Sequence, residues 1–111
     1  MIGLGSELIG IDTNVVLRAI LEDDPVQSPP AAALFRSLSP ERLGFITLVT
    51  LAEVYWVLSR SVQLPRDECL AIISALVYTE TLEFDDGEGV VRALSFAEEG
   101  ADFADALIEG R

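Results

Sequence analysis

Three short apolar runs, Leu8–Ile11, Gly44–Thr47 and Thr81–Phe84, each hand over to a segment whose apolar residues recur at helical spacing. The first, continuous and without polar alternation, reads as a short buried strand, and the other two as further short strands of a mostly parallel sheet. After the first, Val16, Leu17, Ile20 and Leu21 mark a helix from Asn14, which "EDDP" terminates. Ser28-Pro29-Pro30 reads as an N-cap with prolines in the first turn, opening a helix through Leu38, and Ser39-Pro40 turns the chain. Thr50 to Arg60 carries an apolar face of Leu51, Val54, Tyr55, Val57 and Leu58. Pro65 opens a further helix around Leu70, Ile72, Ile73, Leu76 and Val77. Gly89–Glu99 reads as a helix ended by Gly100, and Asp102 starts another. Strands alternating with helices predict a three-layer α/β/α sandwich with a mostly parallel central sheet. The 111 residues make one domain, 1–111. "GLGS" at residues 3–6 precedes the first strand and lacks a third glycine, so it reads as N-terminal slack and not as a dinucleotide loop.

What the chain lacks narrows its chemistry. All seven basic residues are arginines, and histidine and lysine are missing altogether. Nucleophilic triads with a histidine base are therefore excluded, as are zinc sites built on histidine or paired cysteines. The Walker loop and Schiff-base chemistry both need a lysine. Receiver domains and aspartyl-phosphate phosphatases, which also begin from an aspartate after a strand, normally depend on one too. Cys69, the single cysteine, is expected to be a small buried hydrophobe in a protein resident in the cytoplasm. No run is long and apolar enough to span a membrane, and no signal-peptide pattern precedes the first strand. Carboxylate chemistry remains. A net charge of −12 opposes binding nucleic acid over a broad basic surface, and suits a basic partner or carboxylates that hold divalent cations.

Sites in parallel sheets form beyond the carboxyl ends of the strands. Asp12 directly follows the first strand, Glu53 lies early in the helix after the second, and Asp102 and Asp105 open the last helix. Each has two readings. Asp12 reads as a turn or cap residue sharing that role with Thr13 and Asn14, Thr50-x-x-Glu53 as a capping box, and Asp102 with Asp105 as another helix start. The second reading treats them as a set converging on one end of the sheet. Carboxylates brought together demand a cation, and an all-oxygen donor set suits Mg²⁺ or Mn²⁺.

Three stretches, "IGIDTNVVLRAIL", "FITLVTLAEVYWVLSR" and "GADFADALI", together make the chain resemble the PIN domain family, and within it the VapC-like toxins of toxin–antitoxin pairs. The resemblance implies an endoribonuclease that hydrolyses RNA phosphodiester bonds with Mg²⁺ or Mn²⁺. It implies that Asp12, Glu53 and Asp105 are the catalytic metal ligands, with Asp102 a further ligand, a supporting group or simply the cap. Thr13 and Asn14 match the residues that orient the first aspartate, which makes Asp12 a ligand and Asn14 the cap. It also implies a cognate antitoxin that covers the acidic site with a basic segment, and a homodimer. A fourth acid on a later strand belongs to the pattern. The sequence given ends at Glu109-Gly110-Arg111 before reaching one, so the fold is expected to be C-terminally short. Arg18 and Arg60 are the arginines expected near an RNA, each with a solvated helix face as its alternative. Tyr55 is expected in the core and Trp56 half-buried at its boundary. Two other classes stay open: a non-catalytic acidic interaction module on the same fold, and a phosphohydrolase acting on a small substrate or a DNA flap.

Overall fold

The computed structural model describes residues 7–109, so the "GLGS" segment falls outside the described residues. Its elements run β1 (Glu7–Gly10), α1 (Thr13–Leu21), α2 (Ser28–Arg36), β2 (Arg42–Ile46), α3 (Leu48–Trp56), a π turn (Val57–Ser61), α4 (Arg66–Val77), β3 (Leu82–Phe84), α5 (Gly87–Glu98) and α6 (Phe103–Glu109). The three strands are parallel in the order β1-β2-β3, with Ile9 opposite Gly44 and Phe45 opposite Glu83. Helices flank this sheet, and the α/β sandwich expected from the alternation is the fold observed. Among the described residues no helix is long and apolar enough to cross a membrane.

The core lies between the sheet and α3, α4, α5 and α6. Ile46, Leu51, Val54, Leu58, Ile73, Val90 and Phe103 are fully enclosed there. Gly44 stands at the centre of β2, where a side chain would have to displace the ends of packed neighbours. A Cβ at that position would lie 2.5 Å from Ile11 Cδ1 and 2.9 Å from Leu82 Cδ2. Cys69 is buried as expected, and burial raises its thiol pKa. Tyr55 is also in the core, its ring tilted against Phe103 with centroids 5.2 Å apart, and burial raises the phenol pKa too.

Several boundaries differ from expectation for local reasons. β1 is an edge strand, not a buried one, and Leu8 is 58% exposed. Ser28 is the first residue of α2 instead of its cap; it is buried, and its Oγ accepts a hydrogen bond from the Asp24 N–H. That helix stops at Arg36, two residues short of Leu38. The helix after β2 begins at Leu48, because Thr47 caps it by accepting from the Thr50 N–H. It gives way at Val57 to a π turn closed by Val62 N–H to Val57 O at 2.9 Å. Gly100, in the left-handed region at φ 113°, follows α5 as expected, and Arg66 donates to the carbonyls of Ala97 and Ala101 there.

Gly44→Ala is expected to lower stability by about 1–3 kcal/mol through overpacking, read as a shift in the urea midpoint. Tyr55 sets a pH dependence of definite sign. Its native phenol keeps a proton that the unfolded chain releases near pH 10, so stability falls as pH rises above about 10. Urea midpoints measured between pH 8 and 11 should show that fall in the parent chain and a smaller one in Tyr55→Phe.

Candidate metal centre

At the end of β1 the chain leaves the sheet through Ile11 and turns into α1 at Asp12. The Asp12 carboxylate accepts from the Val15 N–H at 2.9 Å, so Asp12 is the N-cap of α1. The expectation that Asn14 would be that cap is corrected. Asn14 lies inside the helix and donates to Gln27 Oε1 at 3.0 Å, reaching the turn before α2. An aspartate at the β-region residue before the helix accepts from the N–H three residues on, which Asn14 is too far along the chain to reach. Capping occupies one oxygen of Asp12, and the residue remains exposed.

Thr13 makes the contact that joins the separate acids. Its hydroxyl donates to Glu53 Oε1 at 2.5 Å, across forty residues of sequence, and thereby ties the start of α1 to α3. Glu53 is not part of a capping box. The cap of α3 is Thr47, which leaves the Glu53 side chain free of any helix-end role. Asp102 precedes α6 and accepts from the Asp105 N–H at 3.0 Å, so it acts as a cap, while Asp105 lies exposed in the first turn.

Packing of α6 on α3 then brings two acids to one groove of about 270 Å³. Val49, Ala52, Glu53 and Trp56 of α3 form one wall, and Ala104, Asp105 and Ile108 of α6 form the other. Asp12 lies in the adjoining hollow at the ends of β1 and β2, with Thr47 and Thr50. The structure thus places Glu53 and Asp105 together, and Asp12 next door through the Thr13 bridge. Among the described residues no three acids or thiols come close enough to hold a metal ion. The donors fit a hard divalent cation in chemistry, being oxygen-only, exposed and carried on rotatable side chains. A wider hollow of about 410 Å³ beside Glu22, Asp23 and Asp24 is also acidic, but both aspartates are engaged within the fold. Asp23 pairs with Arg18 at 2.8 Å, and the Gln27 and Val26 N–H groups hold the Asp24 carboxyl below its usual pKa.

Three features of this end of the sheet escape the sequence reading. Asp85 directly follows β3 and accepts from the Leu48 N–H at 3.1 Å, tying β3 to the start of α3. Its place just after a strand is the same signal that singled out Asp12. Trp56 is 53% exposed on the groove wall and not half-buried at the core boundary, since Tyr55 takes the inward direction. Arg60 lies over the Trp56 ring at 4.7 Å, whereas Arg18 is held by Asp23 away from the groove.

A scan against protein-family models matches the PIN domain over residues 9–109. No curated protein and no solved structure matches the chain.

Because Asp12 caps α1, Asp12→Ala should cost about 0.5–2 kcal/mol of stability, while Asp12→Asn, an equally good cap, should leave the urea midpoint close to that of the parent. Equal midpoints for the two variants would show that the Val15 hydrogen bond contributes nothing.

Proposed function

The chain belongs to the PIN domain family, and we propose on that premise that it is a metal-dependent endoribonuclease of the VapC-like kind. The family as a whole points to nuclease chemistry; the choice of RNA, the metal and the toxin role are this proposal's own. The observation that carries it is the Thr13–Glu53 hydrogen bond, which links the acid after β1 to the acid of α3 beside the groove that Asp105 also lines.

In this reading Asp12, Glu53 and Asp105 hold Mg²⁺ or Mn²⁺. When bound, such a cation supplies an activated water and offsets charge at a phosphodiester undergoing displacement. The chain's own residues do the rest. Thr13 fixes one oxygen of Glu53 and leaves the other for the cation. Asp12 keeps one oxygen on the Val15 N–H and leaves the second for the cation. Asp102 fixes the start of α6 and with it the position of Asp105. Val49, Ala104 and Ile108 line the groove beside the acids with apolar surface. The proposal extends to a cytoplasmic setting, a cognate antitoxin whose basic segment neutralises the groove, and a homodimer. A second reading, an acidic interaction module without catalysis, draws on the net charge of −12, which suits a basic protein better than a polyanion.

The test is cleavage of a panel of structured RNAs with Mg²⁺, with Mn²⁺ and with EDTA, alongside Asp12→Asn, Glu53→Gln and Asp105→Asn. Cutting should require the cation and disappear in all three variants. Thr13→Val, which removes only the support of Glu53, should lower activity by about 10- to 100-fold. Absence of cutting by well-folded protein would transfer the groove to the interaction reading.

A further inference from the structure

Trp56 stands out from the other exposed apolar side chains because of its surroundings. It is the only tryptophan in the chain and more than half exposed, and it shares a groove wall with Glu53 while facing Asp105 and Ile108. One face of its ring is already occupied. Arg60, carried by the π turn that continues α3, places its guanidinium 4.7 Å from the ring centroid. A cation there braces the half-exposed indole, and it adds positive charge to a rim otherwise marked by carboxylates. The ring is 53% exposed and lines the groove, so part of its apolar surface is open to a planar partner there.

We infer that the exposed ring of Trp56 is a stacking platform for an unpaired nucleobase next to the phosphate being cut, so that the substrate is single-stranded at that point. The inference rests on the nuclease reading above and deepens it. Charge selects the occupant. Phosphates are repelled by Glu53 and Asp105 except where a cation intervenes, whereas a nucleobase is flat and neutral and can lie beside these acids on an apolar wall. Stacking on an aromatic ring also supplies affinity without a broad basic surface, which an acidic chain cannot offer. A paired base has both faces covered by its neighbours in the helix and is unable to use the ring.

Because Trp56 is the sole tryptophan, its emission reports on this groove alone. The full chain with Mn²⁺ is titrated with three RNAs: a single-stranded oligonucleotide, the same length carrying abasic positions, and the matching duplex. Saturable quenching by the single strand, weak or absent for the abasic and duplex forms, is expected. Trp56→Leu should weaken single-strand binding about tenfold or more, with Trp56→Phe close to the parent. In cleavage assays the same loss should fall on KM and leave kcat nearly unchanged. Quenching without cutting would support the platform while removing the nuclease reading. Metal-dependent cutting with unchanged emission, and full activity in Trp56→Leu, would overturn the platform and leave the nuclease. Two further results would also overturn it, each giving the groove to protein: quenching by a basic peptide but not by the oligonucleotide, or an emission shift that tracks self-association of the chain.

Discussion

The seam between α3 and α6 is the contact on which the candidate site depends. Phe103 is fully buried and meets Tyr55 at a centroid distance of 5.2 Å with the rings inclined at 53°. Such tilted aromatic pairs add about 0.5–1.5 kcal/mol beyond the area they bury, and they fix orientation as well as distance. Glu53 and Trp56 flank Tyr55 along α3, while Asp102 and Asp105 bracket Phe103 on α6. One inward-facing pair therefore helps set the spacing of Glu53 and Trp56 against Asp105 across the groove.

A second economy lies in the use of helix starts. Asp12 and Asp102 each accept a backbone N–H three residues on, so capping and ligation are not competing readings of the same residue. A carboxylate has two oxygens, and a cap engages one. The cap holds the side chain in one rotamer, and the free oxygen then points in a fixed direction without further support. Glu53 has no cap to hold it, and Thr13 takes that role from another helix. Asp85, at the same end of the sheet, also accepts a backbone N–H on one oxygen, in its case from another element, joining β3 to the first N–H of α3.

The sequence makes the alternation of strands and helices legible, along with the inward place of Tyr55, Ile73 and Cys69 and the stop at Gly100, since each follows from local periodicity or backbone preference. The choice of cap is less visible. In "FITLVTLAE" two threonines compete, and Thr47 wins because β2 ends at Ile46; that end is set by pairing with β3 and not by any residue nearby. The Thr13–Glu53 bond joins residues forty apart and has no local signature. The exposure of Trp56 is hidden for a similar reason. Helical spacing decides which of Tyr55 and Trp56 turns inward, but how much of the other stays uncovered depends on where α6 lies.

The acidic balance also takes on a different meaning once the arginines are placed. Arg18 is tied to Asp23, Arg42 reaches Glu7 and Ser37, and Arg66 serves the carbonyls that end α5. These three act within the fold, and charge counted over the whole sequence overstates what they offer a polyanion. Arg60 is different, because its partner is an aromatic ring and not a carboxylate, so its charge is not cancelled. A site of this kind would draw little from long-range attraction, which the surrounding carboxylates oppose. It would depend on short-range terms, with a cation between acid and phosphate and a ring beneath a base. Those terms act only at contact, and they reward the geometry of a strand more than its charge.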